Sequence, residues 1–163
     1  MKSKLGLIGA LLVLACLGVG SLAAQDVTLP LKAIQATHFT PAEGLAKGQD
    51  FFDAFYDGLM KQLVKSKVAG QVLGESDKVA EADAANSVVV EGKILEVKHK
   101  SLVGIVRTEV NLYRASDHQL VKNFVAEVPY KPSPLNTDKI IGNAAGGRLA
   151  YEIQRQLKKL KAS

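Results

Sequence analysis

Residues 87–130 form three consecutive stretches in which apolar and polar side chains alternate, and no other feature constrains the fold as much. The first, 87–97, is dense in β-branched residues (Val88, Val89, Val90, Ile94, Val97). Gly92 at its centre predicts a bulge or a close backbone approach. The second, 102–113, puts Val106, Thr108, Val110 and Leu112 on one face and Arg107, Glu109 and Asn111 on the other. A turn over 115–118 leads into the third, 119–130, with Leu120, Phe124, Ala126 and Val128 predicted inward. Pro129, Pro132 and Pro134 then end the sheet. Strands of this kind make an antiparallel meander with one wet face, and the other face must be covered.

Two segments carry the matching cover. Residues 50–65 repeat apolar pairs every four residues: Phe51, Phe52, Phe55, Tyr56, Leu59, Met60, Leu63 and Val64. That spacing predicts a helix with one broad apolar stripe, and Lys61, Lys65 and Lys67 suit the negative end of its dipole. A second helix is predicted from Asn136 or Thr137 to about Leu160, with Ile141, Ala145, Leu149, Ile153, Leu157 and Leu160 as its stripe. Gly142, Gly146 and Ala150 stand beside that stripe and should let the helix lie close on the sheet. Near the start, Val27, Leu29 and Leu31 alternate in a first strand over 26–36, with a free edge expected at Pro30, which has no N–H to donate. Thr40-Pro41-Ala42-Glu43 resembles a helix start. Val72 and Leu73 fit a short strand, and 76–86 a loop or short helical turn. The expected fold is α+β: a two-layer sandwich, a mostly antiparallel sheet of four to five strands with two helices on one face, in the order β-α-β-β-β-α.

The chain opens with Lys2 and Lys4, followed over residues 5–20 by an uncharged run of Leu, Ile, Val, Ala and Gly. Ser21, Ala23 and Ala24 follow, and the first acid is Asp26. This is the basic, apolar and small-residue order of a secretory signal peptide, expected over 1–24, with a single domain over 25–163. The apolar run is shorter than the ~20 residues of a spanning helix and holds Gly6, Gly9 and Gly18. Two processing routes fit. Signal peptidase I would cut after Ala23 or Ala24, giving a soluble start near Gln25, and this is the preferred reading. Alternatively Val13-Leu14-Ala15-Cys16 is a lipobox, and lipidation at Cys16 would anchor the domain to a membrane, in one setting the outer membrane. Either route gives an exported, periplasmic protein.

The chemistry is defined mostly by what the spacing does not offer. Cys16 is the one cysteine, so a domain beginning at Gln25 has neither disulfide nor thiol. Two of the 21 Lys and Arg residues lie in the leader and 16 acids oppose the rest, a balance too mild to suggest nucleic acid. His38, His99 and His118 share no ligand spacing and are expected to be solvated, with no metal and no cofactor. Glu91, Glu96, Glu109 and Glu127 sit on strands near Lys93, Lys98, Arg107 and Lys122, where cross-strand ion pairs account for them. No serine or threonine lies in a nucleophile elbow, and the glycines of 142–147 fall inside a helix rather than a phosphate-binding turn. No catalytic residue is therefore assigned.

Ala82-Asp83-Ala84-Ala85-Asn86-Ser87-Val88-Val89-Val90-Glu91-Gly92-Lys93-Ile94 resembles the alanine–aspartate, apolar-strand, glycine signature of TolB N-terminal-like domains. It resembles still more a group of uncharacterised envelope lipoproteins on the same plan. In these a helix like Phe51 to Val64 precedes the segment, and a meander like Val103 to Val128 and a Gly/Ala-rich helix like Gly142 to Leu160 follow it. The resemblance implies an α+β domain that binds a periplasmic or outer-membrane protein partner or helps assemble an outer-membrane machine. Two readings of function follow. The first is a non-enzymatic binding or assembly module acting through an exposed strand edge or the polar sheet face. The alternative is a carrier of an apolar ligand held between the aromatic helix, at Phe52, Phe55 and Tyr56, and the sheet. Arg155, Lys158 and Lys159 add a candidate contact with an anionic membrane surface.

Overall fold

A computed structural model describes residues 27–99, 103–132, 135 and 137–160. The signal segment and Cys16 lie outside the described residues. Strands β1 (Leu31–Ala36) and β2 (Thr40–Pro41) precede helix α1 (Gln49–Ser66). Strand β3 (Ala69–Leu73) and the one-turn helix α2 (Glu81–Ala84) follow. Then come β4 (Val88–His99), β5 (Gly104–Arg114), β6 (Leu120–Tyr130) and α3 (Asp138–Leu160).

The sheet runs β3-β1-β4-β5-β6, with β2 attached to β4. β4, β5 and β6 form the expected antiparallel meander. β1, β2 and β3 join in parallel, so the sheet is mixed. α1 and α3 cover one face, and Val88, Val90, Ile94, Val106, Val110 and Leu112 bury against Phe51, Phe55, Leu59, Leu63, Leu149 and Ile153. The α+β two-layer architecture is thus the one the alternation and the two helical stripes call for.

Local chemistry departs from expectation in identifiable places. β1 begins at Leu31 and lies between β3 and β4, so Pro30 marks no free edge; it precedes the strand, whose first donors run from Leu31 to Val68 and from Lys32 to Asn86. Thr40 and Pro41 start no helix. They pair with Lys93 and Ile94, and the Ala42 N–H extends that pairing to the Ile94 carbonyl. Gly44, at φ 78, then turns the chain, and α1 starts only after Gly48. The bulge in β4 falls between Ile94 and Glu96, not at Gly92. Gly92 is instead the close approach: a methyl group there would overlap the Phe39 ring. Leu120 faces solvent, because the β5–β6 register shifts between Leu112 and Tyr113 and a one-residue slip reverses the face. Val64 also lies outside the buried stripe of α1, at 59% exposure.

The small residues of α3 pack on α1 rather than on the sheet. A methyl group on Gly146 would overlap the Phe55 carbonyl, one on Gly142 the Phe51 carbonyl, and one on Gly58 the Asn143 carbonyl. These three positions let the two helix backbones touch. The helices run parallel, since Lys47 reaches Asp138 at one end and Gln154 reaches the Ser66 carbonyl at the other. Thr137 caps α3, its Oγ1 accepting from the Ile140 N–H.

Candidate functional site

The aromatic helix was one candidate, and its residues are placed differently from one another. Phe55 is buried at 1% exposure, with its ring centroid 5.4 Å from Phe39 and 6.2 Å from Phe51. Phe52 is half-buried, edge-on to Phe51 at 5.4 Å. Phe55 therefore belongs to the core cluster, and Phe52 and Tyr56 pack against it.

Tyr56 turns instead to a polar cluster at the flank of the sheet. Its hydroxyl donates to the Ala36 carbonyl at 3.3 Å and accepts from the Glu75 N–H at 3.1 Å. Its ring stacks on His38 with centroids 3.9 Å apart. His38 Nδ1 meets Glu75 Oε2 at 2.5 Å, and this hydrogen bond holds the Glu75 carboxyl below its ordinary value, against a smaller opposing effect of burial. Asp77 and Gln35 complete the cluster: Asp77 Oδ2 accepts from the Gly74 N–H, and Gln35 Nε2 donates to the Asp77 carbonyl. The bonds of Tyr56, His38 and Gln35 to residues 75–77 fasten the loop after β3 to α1 and to β1 and its following turn, while the Asp77–Gly74 bond closes the loop on itself.

Next to this cluster, the outer sheet face holds an open cleft of about 300 Å³ lined by Thr37, His38, Thr40, Glu91, Lys93 and Asn111, among others. Its hydroxyls are engaged: Thr37 Oγ1 donates to the Val90 carbonyl and Thr40 Oγ1 to the Gly92 carbonyl. Across the same face Arg107 meets Glu127 at 3.7 Å, and Asn123 donates to Glu109 and Asn111. Glu96 pairs with Lys98 along its own strand. Of the four strand carboxylates, Glu127 thus forms the expected cross-strand ion pair, while Glu96 pairs along its own strand, Glu91 lies near His118 and Glu109 accepts from Asn123.

The histidines are exposed, as expected, and each also has a ring neighbour and a polar partner. His118 stacks on Tyr113 at 4.2 Å and lies 3.8 Å from Glu91. His99 Nδ1 is 2.7 Å from the Tyr130 hydroxyl. That phenol is pushed above its ordinary pKa, first by burial and then by the charge of Asp138. No group of three or more His, Cys, Asp and Glu able to hold a metal ion occurs among the described residues.

β6 is the outermost strand of the meander, and among the described residues no strand pairs with its free side. It is 11 residues long, with Leu120 and Val125 at 53% and 48% exposure. On α3, Arg155 pairs with Glu152 at 2.6 Å, while Lys158 lines a cleft with Leu29, Pro30 and Lys67. Lys159 is exposed and lines neither that cleft nor the groove between the helices. The sequence-predicted residues therefore do not converge on one site: Phe55 belongs to the core, Tyr56 to a structural cluster, and the cations to the outside of the helix layer.

Sequence reasoning missed what the alanine–aspartate segment does. Ser87, 0% exposed, accepts from the Ala33 N–H at 3.0 Å and donates to the Asp83 carbonyl at 2.8 Å. Asn86 Oδ1 accepts from the Thr28 N–H and hydroxyl, and its Nδ2 donates to the Pro30 carbonyl. A polar pair placed immediately before a run of valines is the signal that would have found this latch.

No family model matches the chain, and no curated protein matches it. Solved structures do. The PelC dodecamer of Paraburkholderia phytofirmans superposes with a TM-score of 0.53 at 9% identity, over 77% of this chain and 88% of that one. A Xanthomonas campestris protein of family DUF330 gives 0.55 at 12% identity, over 81% and 86%. A lipoprotein of Neisseria meningitidis gives 0.44 at 10%, over 78% and 99%. The first two share the fold of this chain. None of the three bears on the resemblance to TolB N-terminal-like domains, which rests on the sequence segment alone.

Proposed function

We propose that this chain is a non-enzymatic, exported module of the cell envelope that binds a periplasmic or outer-membrane protein through the β6 edge. The observation that carries the reading is the combination of a packed core and an open edge. Phe55 is packed into the core and Tyr56 is tied to a surface loop, which favours a partner met on the outside. There, the 11-residue strand β6 leaves its outward backbone groups without a strand partner among the described residues, apart from the Pro129 carbonyl, which accepts from Arg148, and Leu120 and Val125 stand alongside. An added strand gains main-chain hydrogen bonds from such an edge, and flanking side chains give it selectivity. The leader over residues 5–20 supports the compartment.

The test is site-specific photocrosslinking in intact cells. A photoreactive residue at Val125 is expected to capture an envelope protein, and one at Lys93, in the middle of the sheet face, is not. Val125→Asp should reduce the capture at a second edge position, Leu120, at least about tenfold, the effect of losing ~1.4 kcal/mol. Capture at Lys93 and none at Val125 or Leu120 would overturn the edge reading. Capture of a second copy of this chain would replace the heterologous partner with self-association.

A further inference from the structure

The two outer surfaces of the sandwich handle charge in opposite ways. On the sheet face acids and bases alternate and meet. On the helix layer they are segregated lengthwise. Because α1 and α3 run parallel, both begin at one end, where α1 carries Asp50, Asp53 and Asp57. Both finish at the other end, toward which Lys61 and Lys65 of α1 and Arg155 and Lys158 of α3 stand, with Arg148 at the middle of α3.

Parallel helix dipoles add, so cations in the last turns are expected without any ligand. That explanation covers Lys65 and Lys158. It does not reach Lys61, which lies more than one turn from the end of α1, beyond the range of the terminal partial charge; Arg148, at mid-helix, donates to the Pro129 carbonyl. Lys61, Lys65, Arg148 and Tyr151 line an open groove of about 330 Å³ between the helices, where Gly58 and Gly147 leave the helix backbones bare. Among the described residues no carboxylate lies within ion-pair distance of Lys61, Lys65 or Lys158. The same layer exposes apolar side chains: Val64 at 59%, Ile140 at 51% and Tyr151 at 57%. The chain also enters the fold here. Leu29 and Pro30, close to the first described residue, share a cleft with Lys67 and Lys158.

We propose that the basic end of the helix layer docks on an anionic phospholipid surface. The inference rests on the envelope reading above and adds a second face to it, with lipid on the helix side and protein on the sheet edge. A bilayer fits better than an acidic protein because the apolar residues are spread along two helices rather than gathered in one pocket. Such a face needs no shape complement, only headgroup charge with shallow apolar depth beneath, and tyrosine suits that boundary. Asp50, Asp53 and Asp57 are repelled by the same surface, so the layer tilts, with its helix C-termini and the entering chain against the lipid.

Protein recovered from expressing cells, whatever fraction holds it, is sedimented with vesicles of phosphatidylcholine alone or mixed with phosphatidylglycerol in equal parts. This measurement does not depend on export, which cell fractionation tests separately, so either reading can fail alone. Any acyl chain at Cys16 binds both vesicle types, and the charge-dependent part is the difference between them. That difference should vanish near 1 M salt, where the Debye length is ~3 Å. Each lysine near the surface contributes about fivefold, so Lys61→Gln with Lys65→Gln should lose about thirtyfold on phosphatidylglycerol vesicles. Lys93→Gln with Lys98→Gln, an equal charge change on the sheet face, should lose less than about twofold. Tyr151→Ala should weaken binding severalfold without changing its salt dependence. Unchanged circular dichroism melts identify folded variants. Equal losses by the two lysine pairs, or equal binding to both vesicle types, would overturn the proposal. So would capture of an acidic protein at Lys61 in cells without vesicle binding.

Discussion

The two flanks of the sheet are built on different principles. On the meander flank, β4, β5 and β6 pair over ten or more residues and the ladder itself holds them together. On the parallel flank, β1 meets β4 through three pairs and β3 through four, too few for the ladder alone. Side chains make up the difference. Ser87 and Asn86 tie β1 and the entering chain to the start of β4, and the cluster of Tyr56, His38, Glu75 and Gln35 ties the loop after β3 to β1. Where local pairing is long, polar side chains are left free to face solvent and partners. Where it is short, they become fasteners.

The sharpest way to break this contrast is to remove the buried fastener. Ser87→Ala removes the acceptor of the buried Ala33 N–H, while the Asp83 carbonyl keeps its bond from the Asn86 N–H. An unsatisfied buried group costs about 1–3 kcal/mol, so the variant should lose ~1–3 kcal/mol in urea unfolding. Hydrogen exchange should show β1 and β3 opening before β5. A uniform loss of protection across the sheet would mean that the flanks are not separate units.

How far the sequence could be read follows the same line. In β5 the buried set Val106, Thr108, Val110 and Leu112 alternates without interruption, so its register could be read directly. The helical stripes of α1 and α3 were equally plain, because burial repeats at the helical period. The parallel flank was not legible. Its strands are short, and their partners lie far along the chain, so neither β1's central position nor β2's pairing leaves a periodic trace. Leu120 was misassigned because a one-residue register shift has no sequence signature of its own. Gly142 and Gly146 announced a close contact but not its partner, since a sheet and a helix backbone make the same demand for small residues. Of the candidate site, the chemistry was legible and the placement was not: Phe55 and Tyr56 are neighbours in sequence, yet one fills the core and the other holds a surface loop.

The meander should respond oppositely to a polar deletion. Thr108 is 0% exposed on β5, and its hydroxyl has no hydrogen-bond partner among the described residues. The ladder holds the strand whether or not that oxygen is there. Thr108→Val replaces a desolvated hydroxyl with a methyl group of similar size, and should raise stability by about 1 kcal/mol. Thermal unfolding of the single variant measures it. A loss comparable with that of Ser87→Ala would show that the meander also depends on buried polar groups.

The smallest expected effect is a pH dependence confined to the parallel flank. Glu75 is held below its reference value of 4.5, chiefly by the hydrogen bond from His38. A carboxyl whose folded pKa is depressed adds stability at pH values above its unfolded pKa, and that stability is lost as the pH falls through the lowered folded value. The flank should therefore weaken below about pH 4.5 and not before. The pair is half-exposed, at 45% for His38 and 52% for Glu75, so solvent screening keeps the effect to at most ~1 kcal/mol. Glu75→Gln keeps a similar shape and removes the titration, so it should flatten this acid limb while leaving neutral-pH stability lower by a few tenths of a kcal/mol. The measurement is amide exchange of β1, β3 and β5 at about pH 5 and about pH 3.5, corrected for intrinsic rates. β1 and β3 should lose protection on acidification in the wild type and keep it in the variant. β5 should track global stability alone, because its ladder does not depend on His38 or Glu75. If β5 and β1 lose protection together in both proteins, the acid response belongs to the whole fold and the His38–Glu75 bond is only a surface contact.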